Sequence, residues 1–161
     1  MSAQLACLAK LYFRSGGTYE SPTWLEASEV MNLTVTPSWD GADANSRAQR
    51  AKFSAKTILG LEISGSIKKV PGDPAYEMVM DGLISDDVID VLCLDGPMDE
   101  EGVRGWRADV QVHECPEDQS LGNVLYDDFT LKPYPSHPLK AVLVEGTGSI
   151  TYALPGSSTF A

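Results

Sequence analysis

The sequence predicts a mainly β fold: a β-sandwich or incomplete barrel with one flanking α-helix and a long polar loop. Three observations lead there. Short apolar runs recur with a period of two, separated by Gly, Pro and Asp turn signals. One stretch alone carries the apolar spacing of a helix behind a capping signal. One polar stretch, from Ser38 to Thr57, loses all alternation.

The first strand is expected over Leu5 to Phe13, where Leu5, Cys7, Ala9, Leu11 and Phe13 alternate with polar positions including Lys10 and Tyr12, and Ser15-Gly16-Gly17 ends it. Trp24-Leu25 and Met31 to Thr36 read as the next extended segments. Met31, Leu33 and Val35 share a face, and Pro37 closes the run because it cannot donate to a ladder. The polar segment that follows contains Asp40-Gly41, Asp43, Arg47, Arg50, Lys52 and Lys56, so it is a cationic stretch on an acidic chain.

Leu59, Leu61, Ile63 and Ile67 then alternate with Glu62, Ser64, Ser66 and Lys68, with Gly60 and Gly65 marking a bulge or a close backbone approach. Pro71-Gly72 turns the chain. Asp73 is placed as an N-cap with Pro74 at the first helical position, and Tyr76, Val79, Met80 and Leu83 follow at helical spacing; Gly82 implies a short helix. Val88 to Leu94 is apolar on both faces except at Asp90, as a central strand would be. Trp106, Ala108, Val110 and Val112 alternate with Arg107, Asp109, Gln111 and His113, which reads as an amphipathic strand with the charged set facing water. Phe129 and Leu131 share a face of another strand that Pro133 and Pro135 stop, and Leu139 to Val144 with Ser149 to Ala153 form a last hairpin joined through Glu145-Gly146-Thr147-Gly148.

With 161 residues the chain suits one domain, taken as residues 1–154, followed by a flexible tail over 155–161. No apolar run is long enough to cross a bilayer, and the first residues lack the pattern of a secretory signal, so no membrane anchor is expected. Cys7, Cys93 and Cys115 are odd in number and far apart, which suits a reducing cytoplasm. The net charge of -11 repels phosphate backbones and excludes a protein that grips nucleic acid through a basic surface, while leaving open one past which DNA slides.

Catalytic chemistry is not evident. His137 sits among prolines and reads as an exposed loop side chain; His113 and Cys115 are two metal-capable side chains where a zinc site wants about four. The acidic pairs Asp86-Asp87 and Asp127-Asp128 and the run Asp99 to Glu101 lack the alternating oxygen spacing of a calcium loop and read as solvated turns. Gly146-Thr147-Gly148 lacks the Lys-Ser/Thr ending of a phosphate loop. No enzyme activity, cofactor or metal is therefore expected.

The order of these features resembles the major tail tube proteins of long-tailed (siphovirus-like) bacteriophages, from about Leu5 to Tyr152. The resemblance runs through Trp24, Met31-Asn32-Leu33-Thr34-Val35, the polar segment with Arg47 and Arg50, Leu59-Gly60-Leu61-Glu62-Ile63-Ser64-Gly65, Asp73-Pro74, Val91-Leu92-Cys93-Leu94-Asp95-Gly96, Gly105-Trp106-Arg107-Ala108-Asp109-Val110 and Phe129-Thr130-Leu131-Lys132-Pro133. It implies a structural virion protein, made in the host cytoplasm, that closes hexameric rings by continuing its sheets and stacks them into a tube through which DNA passes without specific binding. The implied partners are other copies of itself, a tail-tip initiator, a tape-measure protein and a tail terminator. On this reading the polar segment is the contact between rings, carried by Trp39, Asp40, Arg47, Arg50, Lys52, Phe53 and Lys56, and the acidic charge lines the lumen. The alternatives are another tube, secretion-tube or tail-completion component of similar fold, and a β-sandwich ligand-binding module using Trp24, Trp39 and Trp106; a surface insertion without a role is the plain reading of the polar segment.

Overall fold

The computed structural model describes residues 9–44, 47, 51–52, 54–118, 125–145 and 149–154. The elements run β1 (Lys10–Gly17), β2 (Pro22–Glu26), β3 (Val30–Asp43), β4 (Ser54–Lys68), α1 (Pro74–Ile84), β5 (Ile89–Leu94), β6 (Arg104–Glu114), β7 (Glu117–Asp118), β8 (Tyr126–Pro133), β9 (Lys140–Glu145) and β10 (Ser149–Ala153). All pairings are antiparallel, in the order β2-β1-β5-β6-β8-β4-β3, so β2 and β3 are ends and the sheet does not close on itself.

The architecture turns on β6. One edge pairs with β5 from Gly105 to Val110. The other edge is divided: Arg104 to Arg107 pair with β9, and Val110 to Glu114 pair with β8. Because the two partners leave in different directions, β9 and β10 fold over one face of the β1-β5-β6 layer and β8, β4 and β3 fold over the other. The central strands are thus covered on both sides, and strand alternation sends Leu11 and Phe13 to one core and Tyr12 to the other.

The larger core gathers Phe13, Ile63, Ile67, Val91, Val110, Phe129 and Leu131 with the helix residues Ala75, Tyr76 and Val79. The smaller joins Tyr12, Leu92, Leu94 and Val103 to Val142 and Val144 of β9. The helix begins as its sequence signals require, with the Asp73 carboxylate accepting from the Tyr76 N–H at 3.3 Å and Pro74 in the first turn. Gly82 is buried because a Cβ there would press on Ile89 and Val112, 3.1 Å away. Gly105 is where the backbone passes nearest its partner strand: a Cβ would sit within covalent distance of the Cys93 carbonyl.

Several sequence expectations need correction. The first described strand begins at Lys10, and its glycines do not end it: Gly16 and Gly17 pair with Thr23 and Pro22, and Gly17 supplies a φ of 74° for the turn. The readings at Leu5 and Cys7, and the tail 155–161, lie outside the described residues. Tyr12 is buried, since β9 and β10 cover the face that would otherwise be wet. Met31 does not share the buried face of Leu33 and Val35; the ladder slips between Met31 and Thr34, with Asn32 at φ 51°, and Met31 is exposed. Pro37 does not close its run, because β3 is an edge strand whose missing N–H faces away from the ladder.

Cys93 lies wholly within the larger core, and burial pushes its thiol up to about 12 from 9.0. Below pH 9 the thiol is protonated in both states. Between pH 9 and 12 the unfolded chain loses the proton first, so stability falls as pH rises, by about 1.4 kcal/mol per pH unit for one proton. The Tyr12 and Tyr152 phenols, raised mainly by burial, add to the fall above pH 10. Urea midpoints measured across this range should drop, and Cys93→Val should flatten the fall between pH 9 and 10; an unchanged slope in that variant would place the titration elsewhere.

Candidate assembly surface

Both ends of the segment expected to be a loop, residues 38–43 and 54–57, are strand. Trp39 pairs with Leu59, Gly41 with Lys56 and Asp43 with Ser54, so β3 and β4 continue as a two-stranded arm and the connection shrinks to residues 44–53. Polar side chains hid this from the sequence, because a ribbon exposed on both faces has no core to impose alternation. The β4–β8 ladder spans Ile63 to Lys68, so from Glu62 outward β4 has only β3 as a neighbour.

Of the residues assigned to this segment, Trp39, Asp40 and Lys56 stand on the arm strands, and Arg47 and Lys52 are exposed in the connection. Arg50 and Phe53 lie outside the described residues. The slip between Trp39 and Gly41 puts Lys56 on the Trp39 face, with its ammonium 5.5 Å from the indole. Trp39 stays 37% exposed and Ile58 66%, so the arm holds apolar surface in water beside cations.

Among the described residues, the outer edges of β2, β3, β7 and β10, and the edge of β4 from Glu62 outward, have no partner strand. The outer face of β3, β4 and β8 is also uncovered among the described residues. It shows hydroxyls and charges of both signs, with Thr34, Ser64 and Thr130 in register, Thr36 opposite Glu62, and Lys132 further along β8. Ser66 donates to the Asp128 carboxylate at 2.5 Å on the same face.

Where β6 divides, the sequence reading placed Arg107 and Asp109 in water, and the structure buries both. Arg107 donates from Nε and Nη2 to the Asp90 carboxylate at 3.1 and 2.6 Å, and from Nη2 to the Tyr19 carbonyl at 2.7 Å. Its guanidinium lies 4.0, 5.0 and 5.1 Å from the rings of Tyr19, Trp24 and Tyr152. Burial works against its charge, but the hydrogen bonds and charge of Asp90 outweigh this and raise its pKa. Asp109, the cross-strand neighbour of Asp90, accepts from Ser136 Oγ and bonds His137 Nδ1, each at 2.5 Å, while its carbonyl takes the Tyr134 N–H.

His137 is therefore no plain loop side chain; it is partly buried and stacks on Tyr19 at 3.7 Å. Ser136 and His137 both meet the same Asp109 oxygen, so the histidine does not stand between carboxylate and hydroxyl as a nucleophile's base would. The group is a clasp that ties the β1–β2 turn and the β8–β9 connection to the division in β6. The one signal for it in the sequence was Asp90, a lone acid in an apolar strand.

Trp24 is engaged with Arg107, and Trp106 packs against the larger core, so the three tryptophans do not form one concave site. No three metal-ligating side chains come together among the described residues, and no helix among them is long and apolar enough to cross a membrane.

No protein-family model and no curated protein matches the sequence. Solved structures do match in fold. A chain of the SPP1 tail tube superposes with a TM-score of 0.69 at 8% identity, over 91% of this chain and 82% of the other. A chain of the virion of a native gene transfer agent particle does so at 0.63 and 8%, over 94% and 99%. A chain from the tail of an empty gene transfer agent particle, refined helically with C6 symmetry, gives 0.62 and 11%, over 85% and 97%. The chain has the fold seen in these phage-like tails, across nearly its whole length.

The clasp yields a stability prediction. Arg107→Met leaves the buried Asp90 carboxylate with only Arg14, whose Nε lies 3.5 Å away, and should cost about 3 kcal/mol in urea denaturation, whereas adding Asp90→Leu should recover most of the loss. Additive losses in the double variant would mean that the pair does not act as a unit.

Proposed function

We propose that this chain is a structural virion protein, without catalytic activity, that polymerises as stacked rings into a tail tube. The observation that carries the reading is a long, self-paired arm with unpartnered strand edges, on a fold matching chains of tail assemblies over 82–99% of their length. Free edges are completed when sheets continue from copy to copy, and the six-fold symmetry of a related tail supports rings of six. The arm, with Trp39, Asp40, Arg47, Arg50, Lys52, Phe53 and Lys56, is the contact between rings. Its exposed cations speed docking onto an acidic neighbour.

DNA passes through the bore. We assign the lining to the uncovered face of β3, β4 and β8, whose hydroxyls and charges of both signs give phosphates little to hold, while the net charge of -11 repels them. The tail-tip initiator, tape-measure protein and terminator are the expected partners, and the virion tail is the destination of a protein made in the host cytoplasm.

Negative-stain electron microscopy of concentrated protein, with size-exclusion chromatography alongside, tests this directly. Hollow tubes are expected; single rings that do not stack would indicate a tail-completion component instead. A strict monomer, even with tail-tip complexes added as seeds, would overturn the reading in favour of a binding module. Replacing Arg47, Lys52 and Lys56 together by Glu should slow tube growth about tenfold or more at low salt, with circular dichroism unchanged.

A further inference from the structure

We infer that the C-terminal end of α1 is the docking site for the arm of a second copy of this chain. Where the helix ends against the start of β5 it leaves a groove of about 310 Å³, lined by Met78, Gly82, Val88 and Ile89 and flanked by Asp81 and Asp87. Val88 is 38% exposed, and Ile84, beside Asp81 on the helix surface, is 82% exposed. Apolar surface gathered in this way marks a place of contact.

The charge around the groove says what fits. Asp81, Asp86 and Asp87 are exposed, and among the described residues their carboxylates make no ion pair or hydrogen bond. The last turn of α1 holds no basic residue. A helix already carries partial negative charge at its C-terminus, so carboxylates there act against the helix they follow. Lys132 comes to this end of β6 opposite Gln111, whose amide donates to the Asp86 carbonyl, and one ammonium leaves the three acids in excess. The site is set for a cationic partner with an apolar body.

The arm has that composition. Four of the chain's twelve basic side chains, Arg47, Arg50, Lys52 and Lys56, fall within residues 47–56, and Lys56 lies over the partly exposed ring of Trp39. A tryptophan beside cations is the kind of anchor that dominates protein interfaces. Residues 1–8, 119–124, 146–148 and 155–161 contain no Lys, Arg or His, so charge does not select them as the occupant.

The groove's own arm points away from it. The ladders carry β4 from the level of Val112 toward the Arg104 end of β6, where Leu33, Val35 and Pro37 at the arm's root face Cys93 and Trp106. The groove lies before Ile89, at the other end of β5. From Leu61 the arm runs a further seven residues to Ser54, about 23 Å at about 3.3 Å per residue. The occupant therefore comes from another copy, and a head-to-tail contact of this kind repeats from copy to copy, as stacking requires.

The inference rests on the tube reading, and three full-length chains separate the two: wild type, Asp81→Lys with Asp87→Lys, and that pair combined with Arg47→Glu, Lys52→Glu and Lys56→Glu. Growth is followed by light scattering and electron microscopy at low salt, with urea midpoints measured alongside. The groove pair is expected to slow tube growth about tenfold or more, although it lowers the net negative charge that holds copies apart. Its urea midpoint should equal or exceed that of wild type, because lysines suit the end of a helix. The combined variant, attractive again at this contact, should return to within about threefold of wild-type growth. Unchanged growth in the groove pair, or no recovery in the combined variant, would overturn the docking site while wild-type tubes leave assembly standing. A wild type that stays monomeric, even with tail-tip seeds, would overturn both.

Discussion

The structure depends on the division of one edge of β6. Had that edge paired with a single strand, the β1-β5-β6 layer would have one covered face and Tyr12, Leu92 and Leu94 would lie in water. Because Arg104 to Arg107 take β9 while Val110 to Glu114 take β8, one layer organises two cores. A divided edge leaves backbone groups unsupported at the branch, and buried polar groups need partners. Asp109 meets that need through its carbonyl to Tyr134 and its carboxylate to Ser136 and His137, and Arg107 occupies the other side of the branch with Asp90 and three aromatic rings.

A fixed body of this kind can carry an arm that extends beyond its own core. The arm is a ribbon without a third strand, and an exposed ribbon invites indiscriminate pairing. Several features counter this in the free chain: Pro37 removes a donor from the edge, the ladder slips at Met31 and again at Trp39, and charged side chains crowd the far end. The net charge of -11 adds repulsion between copies. Docking must therefore overcome a built-in reluctance, which suits a protein that assembles on a template.

The sequence reveals what a core dictates and conceals what it does not. The alternation of Leu59 to Ile67, the apolar run to Leu94, the Asp73-Pro74 helix start and the Phe129–Leu131 face were legible because burial on one face imposes a period. The arm was read as a loop because nothing buries it, although its position and cations were recognised. Arg107 and Asp109 were read as wet because alternation assigns faces without saying whether a second layer covers them. That layer comes from β9 and β10, which lie far along the chain, so local pattern could not supply it. Within the candidate surface, Trp39 and Lys56 were found by composition, whereas the ladder that brings them onto one face shows only in the structure.

Hydrogen exchange read residue by residue on free chain and polymer tests the central claim, that the arm is an unpartnered ribbon in the monomer and a contact in the assembly. The account predicts that the amides of Trp39 to Asp43 and Ser54 to Ile58 exchange quickly in the monomer and slow sharply on polymerisation, while those of β5 are protected in both. Arm amides that exchange equally fast in the polymer would contradict it.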